Sequence, residues 1–143
     1  MMHDPIAEWL FHPLPADSFL ADFWAKEHHV VRRDDPGYFA DLFGAKALEE
    51  FLEYGRPDPA GVRMVKGKEK KDLQSYRLGN GAIDMVALRN DFAAGFTIIL
   101  NGLERYVGAV AALARGLEVE LNFETQVNAY VTPPGSQGFL PHY

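Results

Sequence analysis

The side chains with chemical capacity gather near the end of this 143-residue chain, in Gln126–Tyr143, QVNAYVTPPGSQGFLPHY. Asn128, Tyr130 and Thr132 alternate with Val127, Ala129 and Val131, and a period of two predicts a half-buried strand. One face would be apolar, and the other would carry an amide, a phenol and a hydroxyl. Such a row of differing hydrogen-bonding groups suits a small polar ligand; the alternative is that Asn128 and Tyr130 satisfy backbone groups at a sheet edge. Pro133-Pro134-Gly135 cannot continue a central strand and reads as a turn. In the following loop, Ser136 and Gln137 fit either a substrate-facing or a turn-forming role. His142 follows Pro141, and taken by itself its imidazole reads as a plain exposed side chain.

The run NAYVTPPGSQGFLPHY resembles the signature of the cupin-4 branch of JmjC-type oxygenases, a family that includes ribosomal-protein hydroxylases. The resemblance implies a double-stranded β-helix, or jelly roll, that holds Fe(II) and uses 2-oxoglutarate and O2. The family's motif is His-x-Asp with a distant second His, the facial triad of non-haem iron oxygenases. On that motif His142 matches the first iron ligand and Tyr143 the intervening position, and the carboxylate would come next. Asn128 and Tyr130 match positions that face the co-substrate and substrate, and Thr132 shares their face. The basic residue that pairs with the far carboxylate of 2-oxoglutarate is expected downstream. A single imidazole does not hold Fe(II) tightly. The expectation is therefore the N-terminal part of a hydroxylase of protein or peptide side chains, such as those of a ribosomal protein, inactive by itself. The competing expectation is a non-catalytic cupin-like module that binds a partner or forms a homodimer through exposed strand edges.

Composition bounds both readings. With 48% hydrophobic, 13% aromatic and 24% charged residues, the chain is globular in type rather than a disordered tail. It has no cysteine, which excludes disulfides and Cys-based zinc sites. Net charge is −6, which argues against direct nucleic-acid binding and is compatible with a basic protein substrate. The start, MMHDPIAEWLF, lacks the pattern of a signal peptide, and no apolar run is long enough for a membrane span, so a cytoplasmic location is expected.

The elements that must position the terminal residues can be read in order. A single α+β domain over 1–143 is expected, with a helical cap over 1–61 and mixed α/β structure over 62–143 leading into the first strands of an incomplete barrel. A short helix starts at Asp4-Pro5, and a second runs from Asp17 or Ser18 to about Glu27, with Phe19, Leu20, Phe23 and Trp24 as a core stripe. His28–Arg33 reads as a short strand, whose adjacent histidines point to opposite faces, and Tyr38–Phe43 as a short helix. Ala45 to about Tyr54 is amphipathic, with Leu48, Phe51 and Leu52 inward. Val62–Val65 reads as a strand, Lys66–Asp72 as a solvated loop, and Leu73–Leu78 as strand or loop. Gly79-Asn80-Gly81 lacks the Lys-Ser/Thr and helix start of a phosphate loop. A helix over Asp84–Ala94, a buried strand over Phe96–Leu100 and a helix over Leu103–Leu117 complete the reading.

Overall fold

A computed structural model describes residues 5–54 and 61–138 of the chain. Strands β1 (Val62–Lys66), β2 (Glu69–Asp72), β3 (Thr97–Leu100) and β4 (Ala129–Val131) form one antiparallel sheet in the order β2-β1-β3-β4. Helices α1 (Ile6–Phe11), α2 (Ala16–Ser18), α3 (Ala45–Tyr54), α4 (Met85–Ala93) and α5 (Gly108–Leu121) accompany it. The architecture is α+β with an open sheet.

β3 comes from the β-branched run expected to be buried, and all four of its residues are. Pleating sends alternate side chains to opposite faces. Ile98 and Leu100 join Val62 and Met64 of β1 against Leu48, Phe51 and Leu52 of α3, Leu88 of α4 and Val110 of α5. Val127, Ala129 and Val131 pack against the same core. α4 begins where Asp84 accepts hydrogen bonds from the backbone N–H groups of Val86 (3.1 Å) and Ala87 (2.9 Å), an N-cap written into the sequence.

Several sequence expectations are corrected. Lys66–Asp72 is not a loop: Gly67, at φ +60°, and Lys68 make a tight turn that pairs Lys66 with Glu69 and continues as β2. His28–Arg33 forms no strand, and Tyr38–Phe43 is a series of turns. Arg33 instead clamps the backbone, donating to the Leu10 carbonyl at 2.8 Å while its guanidinium lies 4.4 Å from the Tyr38 ring centre. The second helix starts at Ala16, passes into a π-helical turn over Phe19–Phe23 and stops at Trp24. Its aromatic stripe is not buried: Phe11 stacks on Phe19 at 4.0 Å, while Leu20 and Trp24 stay exposed. Leu73–Tyr76 is a 3₁₀ turn.

The last helix is shifted along the chain. Leu103–Arg105 is a separate 3₁₀ turn, the extended Val107 interrupts it, and α5 runs on to Leu121 until Asn122 turns left-handed at φ 56°. Gly116 thus lies inside the helix, where α1 crosses closely. A Cβ there would meet Ile6 Cγ1 at 2.5 Å. α1 has no side-chain cap of its own; Glu120 of α5 caps it, accepting from the N–H groups of Ile6 (2.6 Å) and Ala7 (2.8 Å).

Behind the hairpin, Asp91 of α4 accepts from the Tyr76 hydroxyl (2.6 Å) and pairs with Lys71 (2.9 Å), whose ammonium lies 4.5 Å from the Phe96 ring centre. The hydrogen bond from Tyr76, and then that from Lys71, hold the Asp91 carboxyl below its ordinary value. Burial, followed by the bond to Asp91, raises the Tyr76 phenol.

Two stability measurements follow. Gly116→Val is expected to lower the urea-unfolding free energy by about 1–3 kcal/mol through overpacking against Ile6. Gly108→Ala, placed in open space, should stay within about 0.5 kcal/mol of the parent. Equal stability of Gly116→Val and parent would show that the α1–α5 crossing is loose. Because the carboxyl of Asp91 is depressed in the folded state, its contribution is present above the unfolded carboxylate value, near pH 3.9, and fades as pH falls through the lower folded value. Asp91→Asn is thus expected to cost about 1 kcal/mol at pH 7, discounted for solvent screening, with the gap to the parent narrowing below about pH 4.

Candidate functional site

The sheet face away from the helices carries the side chains singled out near the end of the chain. Across the strands, one row reads Asp72, Arg63, Ile99, Tyr130, and the neighbouring row reads Lys70, Val65, Thr97, Thr132. Val65, Thr97 and Ile99 form a buried centre, with Thr97 at 0% exposure, while Tyr130 is 54% exposed at the β4 side. The face therefore has an apolar floor, a polar flank on β4 and a charged flank on β1 and β2.

Of the expected co-substrate residues, Tyr130 and Thr132 share this face, and Asn128 extends it just before β4. Asn128 also has a structural duty. Its side-chain oxygen accepts the Gly102 N–H at 3.0 Å, and Gly102, at φ 65°, opens the turn that follows β3. That bond fulfils the alternative expected for Asn128, satisfaction of a backbone group, and it leaves the amide nitrogen unused. Thr132 Oγ1 lies 2.9 Å from Thr97 Oγ1, so one of the two hydroxyls donates to the other. The regular part of β4, Ala129–Val131, is shorter than the alternation over Val127–Thr132 suggested.

The following segment folds back over the face. Ser136 N–H donates to the Pro133 carbonyl at 3.2 Å, closing the expected turn around Gly135 (φ 73°), which supports the turn-forming role for Ser136. A Cβ on Gly138 would lie 2.8 Å from Thr97 Oγ1 and 3.1 Å from Thr132 Oγ1, so a glycine is what lets the backbone cross the threonine pair. His142, the expected iron ligand, lies outside the described residues. Among the described residues no group of three or more His, Asp or Glu side chains could hold a metal ion. They therefore do not test the fit of iron. The polar flank, by contrast, has the donor types a carboxylate needs: an amide, a phenol and a hydroxyl.

Sequence reasoning missed Thr97, Arg63 and Lys70. The one polar residue inside the apolar run FTIIL was the available signal for Thr97. For Arg63 and Lys70 the signal was absent, because it requires the hairpin register. An apolar hollow of about 380 Å³ lies on the opposite side, lined by Leu48, Leu52, Leu88, Phe92, Ile98 and Val131. The sheet separates it from Tyr130 and Thr97.

No family model matches the chain. The bifunctional lysine-specific demethylase and histidyl-hydroxylase NO66 of Aedes aegypti is 26% identical over 142 residues, covering 94% of this chain and 21% of the relative. Ribosomal oxygenase 1 of Bos taurus is 30% identical over 142 residues, with 95% and 20% covered. Ribosomal oxygenase 2 of Mus musculus is 32% identical over 144 residues, with 95% and 30% covered. The chain spans between 20% and 30% of the length of these relatives.

The packing over the threonine pair is testable by a double-mutant cycle. Gly138→Ala is expected to destabilise the protein by about 1–3 kcal/mol, because its methyl group collides with Thr97 Oγ1. In the Thr97→Ala background the same substitution should cost less than about half as much, since the collision is removed. Strictly additive unfolding energies would show that the segment does not rest on this pair.

Proposed function

Since this chain is homologous, along nearly its whole length, to a segment of the ribosomal-oxygenase family of JmjC-type oxygenases, we propose that it supplies one flank of a hydroxylase active site. In this reading the open sheet is the first part of a cupin-type double-stranded β-helix, and 1–61 is its helical cap. His142 is the first iron ligand, and the carboxylate and second histidine come from polypeptide beyond this chain. When bound, the iron with 2-oxoglutarate and O2 supplies the oxidising power for hydroxylating a C–H bond.

The chain's own residues have distinct tasks. Asn128, through its amide N–H, and Tyr130, through its hydroxyl, donate to the co-substrate carboxylate or hold the substrate backbone, and Thr132 extends that row. Val65 and Ile99 form a dry floor that excludes water. Gly138 carries the backbone across Thr97 and Thr132. The observation that carries the proposal is the register that puts Tyr130 and Thr132 on the one face free of the helical core. The substrate is a protein or peptide side chain, ribosomal proteins being the class suggested by the relatives' names. By itself the chain is inactive, because one imidazole does not retain iron. A homodimer through the β4 edge is the reading that would replace this one.

The test is a longer protein that continues past Tyr143. It is expected to release succinate from 2-oxoglutarate in an Fe(II)-dependent manner, while the 143-residue chain does not. His142→Ala should abolish turnover and iron retention together. Tyr130→Phe should raise the KM for 2-oxoglutarate about tenfold, the loss of one hydrogen bond to a charged group. Unchanged iron retention in His142→Ala, or a longer gene without an acidic residue two positions after His142, would defeat the proposal.

A further inference from the structure

The β1–β2 hairpin carries five basic residues against two acidic ones, in a chain whose net charge is −6. Among the described residues most of these charges are already engaged. Lys66 donates to the Ala94 carbonyl, and Lys71 pairs with Asp91 at 2.9 Å and with Glu69 at 3.7 Å. Asp72 stands directly across from Arg63 in the register, the natural position for a cross-strand ion pair. That pair is not made. Asp72 Oδ1 instead accepts from the Ser75 N–H (3.2 Å) and hydroxyl (3.3 Å), capping the 3₁₀ turn.

What remains is a cation pair with an address. Arg63, Lys68 and Lys70 have no hydrogen-bond or ion-pair partner among the described side chains. Lys68 sits in the hairpin turn, away from the sheet faces. Arg63 and Lys70 lie on adjacent strands, two residues apart in register, on the same face as Tyr130 and Thr132. Arg63 is separated from Tyr130 only by Ile99, roughly 10 Å of sheet. A guanidinium and an ammonium at exposed positions on adjacent strands, flanking the buried Val65 and Ile99, match a carboxylate.

We propose that Arg63 and Lys70 form a carboxylate subsite on the β1–β2 flank of this face, a proposal that rests on the hydroxylase reading for its biological use but not for its chemistry. The carboxylate comes from an acidic residue near the target in a peptide substrate, or from the co-substrate. The two sources are separable. Arg63 holds the anionic group in bidentate fashion, Lys70 neutralises its charge, and the polar groups of β4 remain available at the other end. Where the peptide is the source, the subsite selects peptides that carry an acidic residue at a fixed offset from the modified one.

The experiment uses isotope-labelled 143-residue chain and three probes: 2-oxoglutarate alone, a His-centred peptide carrying one glutamate, and the same peptide with glutamine. Chemical-shift changes are expected to centre on β1 and β2 for whichever carboxylate source occupies the subsite. The glutamine peptide should give none there. Arg63→Gln and Lys70→Gln, both at exposed positions, should each weaken that binding about tenfold, whereas Lys68→Gln should leave it unchanged. Equal loss in Lys68→Gln would reduce the effect to general charge attraction, and identical behaviour of the two peptides together with no response to 2-oxoglutarate would overturn the subsite. Neither readout needs iron, so the subsite can stand where turnover of the longer protein fails, and can fail where turnover succeeds.

Discussion

The pleat of β3 is the constraint on which the structure turns. Side chains in a strand alternate strictly between faces, so once Ile98 and Leu100 enter the helical core, Thr97 and Ile99 must face the other way. Every neighbouring strand inherits that decision through its register. Val62 and Met64 go inward, Arg63 and Val65 outward; Ala129 and Val131 inward, Tyr130 outward. A slip of one residue between β3 and β4 would bury a phenol in the core and expose Val131. Position of the candidate site is therefore a by-product of core packing, held by the buried centre of the sheet rather than by the site's own bonds.

How much of this was legible depended on whether the deciding partner lay nearby in sequence. β3, α3 and α4 declared themselves through local pattern: a β-branched run, a 3.6-residue apolar period and the Asp84 cap. The alternation around Tyr130 gave the correct face. The hairpin was hidden because Lys70 and Lys71 read as solvated charge, and charged edge strands are common where a sheet must avoid pairing with strangers. Gly67 was the one local cue that those lysines belong to a strand. The expected strand over His28–Arg33 failed for the reverse reason. Its valines suggested pairing, but no neighbouring strand accepts it, and Arg33 is committed to the carbonyls of Leu10 and His12 instead. The shift of α5 was equally illegible, because the left-handed Gly102 and the extended Val107 respond to contacts of the turn after β3 with Asn128 and, through Glu104, with the Val127 N–H.

Carboxylates do much of the long-range tying. Glu104 accepts the Val127 N–H at 2.9 Å and fixes where the strand containing Tyr130 begins; Glu118 accepts the Thr125 N–H at 3.1 Å and shapes the approach to it. Asp72 and Asp91 do the same for the turn and helix behind β2. An acidic composition that looked like simple solubility is in good part internal wiring, with these acids satisfying backbone donors or a cation that would otherwise be unmatched. On the β1–β2 hairpin, the charge left over after this wiring includes Arg63 and Lys70, both on the face away from the helical core.

The cap on α1 imposes an order of events during translation. Ile6 and its carboxylate partner Glu120 are separated by 114 positions, so at elongation speeds of about 5–20 residues per second the helix waits roughly 6–23 s for its cap to be synthesised. In that interval a six-residue helix is too short to persist unaided in water. Ile6, Trp9 and the aromatic side chains beside them emerge as unshielded nascent chain, open to chaperone capture, until α5 is complete and draws α1 onto its end.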